Sequence, residues 1–597
     1  MSGILCHFTS EPTSIKKSEE IINSSLIGRQ MVVDTHFLGN GHLGLVSTPN
    51  SSASVATCNE HKLLVYVDGY FVDAFRTLKT SASWFLSEYL KKGESCISEL
   101  NGSFNVLVYN LDSDDILIIT DRHGTRPLFF VPEREQLSVA YRAEMLAQFG
   151  AVEKKLNQNM VANMLSHSRI WFGDQTFYQE VKLLPSKAIV RWSSRDGISI
   201  SNYSPVSLFD GITPTVEGLA RVFKDVMSDF AAIPDVGLSL SGGLDSRILL
   251  AAGFKGPTFT WGYRKANDEI KLAEECAVVN GNSWDFVNLN PESFLDSTGE
   301  GDVVREGLDL FVQSYALENY PQVVEKGVCG LMTGLALDFT MAGSYTPKSC
   351  ADLSLDQIVS YLYSKTEYFN SEQREELITS PELKDAVQKV EALIVDSLAS
   401  DFYKAGAIEA LQNFFAEYRV RRWIFQRQMW QRAFLEDYIP TFDNRLVDYL
   451  ALFSLEQRAN HKLFKEVLAE LSKSLSDVPY QGTNLPPSAP LEFWQEGTKL
   501  EEQKEKLART VFYETKGNVF VPYNRYYSNF DEWFRVEPRW REAAESLLLS
   551  EESLITDFVQ PDVVARMLEE QTSGKKTHFG RLIILMSLEK TLRTFKS

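Results

Sequence analysis

Leu238–Ser246 reads LSLSGGLDS, an apolar run that ends in a glycine pair flanked by serines and followed by an aspartate. At Gly242 and Gly243 no Cβ stands in the way, so successive backbone N–H groups can converge on one anion. A helix starting directly after the loop turns its positive end to the same point. Ser239, Leu240, Ser241 and Ser246 supply further backbone and hydroxyl donors around it. Asp245 is out of place beside an anion unless a divalent cation lies between them, and Mg²⁺ shared by one carboxylate and phosphate oxygens meets that condition. The spacing is not the G-x-x-x-x-G-K-[ST] of a Walker A loop. The chemistry predicted is pyrophosphate binding, hence ATP with Mg²⁺, cleaved between the α- and β-phosphates. An ordinary glycine turn between strand and helix is the bland alternative, and Ser241, Asp245 and Ser246 together argue against it.

A second element can close such a site. Val328–Ala342, VCGLMTGLALDFTMA, is an apolar strand running into Thr333-Gly334, with Asp338 on the turn that follows. Asp338 is a candidate second Mg²⁺ ligand, although an aspartate capping a helix explains it equally well. Trp261 ends another apolar run. Asp268-Glu269 beyond it reaches a metal or substrate, or is simply an acid pair at a helix start.

These residues need a frame. Residues 1 to about 205 alternate short apolar runs with turn signals such as Asn101-Gly102: Met31–Val33, His42–Val46, Leu63–Val67, Phe104–Tyr109, Ile116–Thr120, Leu128–Val131 and Ala188–Trp192. With helices over Ser83–Lys91 and Asn157–Leu165, this predicts an α+β unit with a sheet-on-sheet core. Tyr203–Thr215, with two prolines, is the domain boundary. Beyond it strands (Val236–Leu240, Thr258–Trp261) alternate with helices (Arg247–Ala252, Ile270–Val279), which implies a parallel sheet. Residues 353–435 and the tail after 490 read as helical, the tail broken by FVPYNRYYSNF.

Composition narrows the class. A chain of 597 residues with 44% hydrophobic and 12% aromatic content can build more than one core. A net charge of −20 argues against a general nucleic-acid binder. The six cysteines, Cys6, Cys58, Cys96, Cys276, Cys329 and Cys350, form no CxxC pair and fit a reducing cytoplasm. No run approaches the roughly 20 apolar residues of a membrane-spanning helix.

Taken together, the elements resemble the asparagine synthetase family, which joins an N-terminal glutamine amidotransferase domain of the Ntn type to an ATP-pyrophosphatase domain. SGGLDS stands unaltered. Phe259–Gly262 resembles the family's adenine-side segment, which implies Trp261 as a residue of the nucleotide pocket; Thr333-Gly334 with Asp338 resembles its SGEGxDE, and Glu436, Pro440 and Asp443 its E-x-R-x-P-F-L-D. Asp121–Leu128, DRHGTRPL, is similar to its DRxGxxPLY element, and Asn101–Phe104 to the segment before that. The resemblance implies an Ntn-type β-sandwich over 1–205 and an α/β parallel-sheet ATP-pyrophosphatase domain with helical additions over 206–597. It implies substrate adenylation: a carboxylate attacks the α-phosphate, pyrophosphate leaves, and an amine then displaces AMP. Asp245, Asp338 and Glu436 become the catalytic candidates.

The departures are specific. The family's glutaminases begin Met-Cys-Gly-Ile; this chain begins Met1-Ser2-Gly3-Ile4, and Cys6 comes too late to replace the cysteine. Ser2 is the remaining candidate nucleophile. The family's N-G-E reads Asp68-Gly69-Tyr70 here, and an aspartate carboxylate cannot donate to an oxyanion as asparagine does. Asp68, Gly69 and Asp121 are therefore read as a vestigial glutamine site. Leu335 replaces the acid of SGEG, Phe339 the last acid of SGEGxDE, and Tyr480–Asn484 lacks the pyrophosphate-binding lysine. Five arginines, Arg419, Arg421, Arg422, Arg427 and Arg432, could supply a substitute cation or form a salt-bridged helix face.

The expectation is an ATP-dependent amide- or lactam-forming ligase acting on a small-molecule or peptide carboxylate and an amine, with no nucleic-acid or membrane partner and room for a homodimer. A glutamine-dependent asparagine synthetase and a nucleotide-binding protein without turnover are the alternatives.

Overall fold

The computed structural model describes residues 2–8, 20–22, 32–38, 41–77, 79–133, 136–168, 170, 172–295, 310–313, 315–343, 345–523 and 525–596. Among the described residues up to Asn202, twelve strands form two six-stranded antiparallel sheets. They are β1 (Gly3–Phe8), β2 (Val32–Leu38), β3 (Gly41–Ser47), β4 (Ser54–Cys58), β5 (Leu63–Phe71), β6 (Gly102–Asn110), β7 (Ile116–Thr120), β8 (Phe129–Val131), β9 (Leu137–Ala140), β10 (Lys182–Leu183), β11 (Ala188–Ser193) and β12 (Gly197–Asn202). One sheet runs β10-β8-β9-β1-β3-β2 and the other β12-β11-β7-β6-β5-β4.

Side-chain alternation builds the layers. Leu64 and Tyr66 of β5 and Leu107 and Tyr109 of β6 point into a core shared with Ile4 and Cys6 of the facing sheet. The intervening Val65, Val67, Val106 and Val108 point the other way, onto Phe85 and Leu86 of the helix Ser81–Lys92. Because both faces are covered, these strands read as unbroken apolar runs, and the sheet-on-sheet core expected from sequence is present. Of the expected strand Met31–Val33, Met31 lies outside the described residues. The expected helix Asn157–Leu165 runs Gln158–Ser166, with Asn157 as its cap.

Five parallel strands follow: β13 (Val236–Ser239), β14 (Thr258–Gly262), β15 (Trp284–Asn288), β16 (Gly330–Met332) and β17 (Glu436–Tyr438), in the order β15-β14-β13-β16-β17. The chain moves outward one way from β13 to β15, then restarts on the other side of β13 with β16. The order therefore reverses between β13 and β16, and crevices at the carboxyl ends of such strands collect ligands. Between β16 and β17 lies a long helical excursion that includes Leu355–Thr366, Pro381–Ala405 and a π-helical stretch, Ala416–Ile424.

The halves meet over a wide front. One apolar cluster takes in Leu5, Phe129 and Met160 of the sandwich together with Ile394, Trp430 and Leu588. β12 ends at Asn202, and the next helix, Val216–Phe230, starts behind Thr215, whose hydroxyl caps it by accepting from the Gly218 N–H at 2.9 Å. Among the described residues no helix is long and apolar enough to cross a membrane, and all six cysteines are free.

Candidate functional site

The strand-order reversal places two loops side by side. One, Leu240–Leu244, leaves β13 and enters the short helix Asp245–Ala251; the other, Thr333–Ala336, leaves β16. They touch through Gly334: a Cβ there would stand 2.4 Å from the carbonyl carbon of Asp245. The glycine of the second loop is thus needed by the first. Gly242 is explained in the same way rather than by backbone freedom. Its φ is not positive, but a Cβ would meet the Glu269 carbonyl oxygen at 2.9 Å. Ser241 N–H donates to Ser246 Oγ at 3.1 Å and Gly243 N–H to Ser241 Oγ at 3.2 Å, so the serines shape the turn. The left-handed residue of this crevice is Ala336, with φ 58°, a conformation a non-glycine residue holds only when its surroundings force it.

Asp245 and Asp338 face each other across the crevice. Burial, then the like charge of Asp338, push the Asp245 carboxyl well above the usual carboxylate range, while the Asp338 backbone N–H donates to it and pulls the other way. Burial also raises Asp338, opposed by the positive charge of Arg419. Two adjacent carboxylates suit a hard divalent ion that takes one or two carboxylates and completes its shell with phosphate and water. Among the described residues no group of three or more acidic, histidine or cysteine ligands exists, so an ion here would lean on a ligand's oxygens. Thr333 Oγ1, at the end of β16, is buried without a hydrogen-bond partner, as is Trp261 Nε1 at the end of β14. The Trp261 ring meets Tyr320 edge-on at 5.8 Å.

Several residues seen in sequence sit elsewhere. Leu240 is core: its N–H donates to Phe259 O at 2.8 Å and its carbonyl accepts from Thr260 Oγ1 at 2.8 Å, which leaves no backbone group for a ligand. Glu436 corrects the expectation of a catalytic role. It pairs in register with Gly330, and Gly330 with Val236, so it stands at the amino ends of the strands, opposite the crevice. There it accepts from Arg126, from Ser52 N–H at 2.6 Å and from Asp437 N–H at 3.0 Å. Glu269 is buried over the Gly242 turn, accepts from Tyr527 N–H at 2.9 Å, and is pushed by burial to a pKa of about 7.

Two arginines escaped sequence reasoning. Arg247, fully buried on the helix after the glycine loop, donates to Gly242 O (3.2 Å), Val478 O (2.6 Å) and Pro479 O (2.8 Å) and lashes the loop to a distant segment. Arg525 donates to Gly482 O at 2.6 Å and Gln481 O at 3.3 Å, bringing a guanidinium to the Tyr480–Asn484 window that lacks a lysine. Its signal was the aromatic-rich break FVPYNRYYSNF, in which Asn524 lies outside the described residues.

In the sandwich, Asp121 accepts from the N–H groups of Phe104 (3.2 Å), His123 (2.8 Å) and Thr125 and from the Thr125 hydroxyl (2.5 Å), which folds the 121–128 loop around it. Asp68 accepts from Arg126 at 2.9 Å. Gly69, at φ 108°, lets that guanidinium lie against the strand, since a Cβ would stand 2.5 Å from Arg126 Nε. Arg126 then reaches across to Glu436. Burial works against its charge, but Glu436 and then Asp68 hold it well above its ordinary pKa. Ser2 is buried directly ahead of β1.

Residues 73–204 match a glutamine amidotransferase domain. The match takes in Asp121 and the 121–128 loop and starts after Asp68 and Gly69. This amidotransferase-like part is therefore the half that contributes Arg126 to the joint with β17. No curated protein matches the chain. Among solved structures, the glutamine phosphoribosylpyrophosphate amidotransferase from B. subtilis complexed with ADP and GMP gives a TM-score of 0.25 at 11% identity, over 60% of this chain and 89% of that one. A structure described as the allosteric regulatory enzyme of purine biosynthesis gives 0.25 at 11%, over 60% and 88%.

Proposed function

We propose that the chain is an ATP-dependent carbon–nitrogen ligase that activates a carboxylate as its adenylate, releasing pyrophosphate, and passes the acyl group to an amine with release of AMP. The observation that carries this reading is the packing of Gly334 onto the backbone of Asp245, which sets the serine–glycine turn and the Asp245–Asp338 pair at the strand-order reversal. Asp245 and Asp338 would hold Mg²⁺, which when bound offsets the charge gathering on the departing pyrophosphate. The serine–glycine turn cradles the phosphates, Arg525 supplies the cation beside the Gln481–Gly482 wall, and Trp261 and Thr333 border the nucleotide.

The glutamine half is read as structural. Asp68 accepts from Arg126 instead of offering a donor to an oxyanion, and Asp121 has its acceptors filled by the loop it organises. Purified protein should catalyse ATP–pyrophosphate exchange with some member of a carboxylate panel, and Asp245→Ala should abolish it. Protein that binds Mg–ATP yet exchanges with no carboxylate would overturn the ligase reading. The amidotransferase match favours one second reading, glutamine hydrolysis at Ser2. Glutamate release from glutamine that disappears in Ser2→Ala would establish it.

A further inference from the structure

The helical run Ala416–Arg432 carries the five arginines noted in the sequence, and the structure sorts them into two sets. Arg421, Arg422 and Arg432 bond backbone carbonyls of the sandwich at Leu184, Gln175 (2.5 Å) and Thr125 (3.2 Å). Arg419 and Arg427 do not. Their guanidinium carbons both lie over the Trp423 indole, 5.1 and 4.8 Å from its centroid, and Arg419 also lies 4.7 Å over Tyr345. The Nε of each is buried without a hydrogen bond. The charge of Arg419 acts on Asp338, whereas among the described residues Arg427 is in no ion pair. In a chain of net charge −20, a half-buried guanidinium with no acidic partner is a ready contact for an anion from outside. Cation–π stacking offsets part of the cost of its burial. The seam between π- and α-helix that carries them is a local irregularity of the kind found at functional sites.

The place they occupy says which anion. Arg427 lines a cavity of about 130 Å³ with Leu335, Tyr315, Tyr320, Ile424, Gln428 and Trp430. Leu335 follows Gly334 directly, and the Tyr320 ring rests on Trp261, so the cavity opens beside the Asp245–Asp338 crevice. A pyrophosphate needs many charged donors around it, whereas this wall offers one guanidinium fork among aromatic and aliphatic side chains and the Gln428 amide, whose N–H already donates to Asp437. That lining suits a single carboxylate on an apolar stem, bound bidentately. Building on the ligase reading above, we propose that Arg427, which shares the Trp423 indole with Arg419, is the positioning residue for the substrate's carboxylate.

Two measurements test it. Phenylglyoxal modification of Arg427 in the full chain, read by peptide mass spectrometry, is run with N-acetyl-aspartate amide, N-acetyl-glutamate amide and 3-phenylpropionate, and with pyrophosphate as control. Protection by a carboxylate at lower concentration than by pyrophosphate is expected. No modification of the free protein, no protection, or better protection by pyrophosphate overturns the proposal. In ATP–pyrophosphate exchange with the best carboxylate, Arg427→Gln should raise the carboxylate KM by roughly ten- to hundredfold, the worth of hydrogen bonds between charged groups, and leave the KM for Mg–ATP alone. An unchanged carboxylate KM, or a shift only in the Mg–ATP KM, overturns it. Protection without exchange in the wild type would leave the carboxylate site standing and remove the ligase reading instead.

Discussion

Replacing Arg126 by leucine should loosen the joint between the sandwich and β17. Arg126 donates to the Asp68 side chain at 2.9 Å, whereas Glu436 keeps the N–H groups of Ser52 and Asp437 when the guanidinium is removed. Asp68 is then a carboxylate held inside the protein with its cation gone. Stripping one partner from a buried ion pair in this way costs about 3–5 kcal/mol. Glu436, Asp437 and Arg432 share the site and keep their own contacts. Urea unfolding of wild type and Arg126→Leu at pH 7, followed by tryptophan fluorescence, should give a deficit of about 4 kcal/mol. Adding Asp68→Asn should recover most of the loss, because the double variant strands no charge at that position. A deficit below about 1 kcal/mol, or a double variant no more stable than Arg126→Leu, would refute the account of the joint.

Glu269→Gln should stabilise the protein at pH 8 and leave it unchanged at pH 4. The wild-type carboxyl, with a pKa of about 7 when folded, loses stability as pH climbs from its unfolded value to that point, by up to about 3 kcal/mol; thermal midpoints at the two pH values check this. Gly334→Ala drives a methyl into the Asp245 backbone, and Mg–ATP binding by calorimetry should weaken by at least roughly tenfold with the circular dichroism spectrum retained. Arg525→Gln should raise the Kd for Mg–ATP about tenfold; a Kd unchanged from wild type would mean that the cation serves only the Gln481 and Gly482 carbonyls.

The strands were legible in sequence where both faces are covered, as at β5–β7, because burial leaves a continuous apolar run there. β12, with four of its six residues exposed, gave no such signal. β5 runs on through Asp68-Gly69 to Phe71, past the point where a carboxylate and a glycine read as its end. Arg126, fifty-eight residues away, neutralises the first and packs on the second. The serine–glycine turn could be read locally because Ser241 and Ser246, a few residues apart, shape it. Glu436 could not, since its place at the amino edge follows from the register of a strand reached only after about a hundred residues of helix. Arg247 and Arg525 act on carbonyls far away in the chain, a relation that no spacing encodes.

The Asp68–Arg126–Glu436 bridge also sets a limit on modularity. Each half supplies charge that the other must neutralise, so neither can be exchanged for a homologous module, or expressed alone, without exposing or stranding a buried ion. A graft of a new N-terminal half would have to carry an arginine at the position of Arg126, set against a glycine, to be accepted by β17.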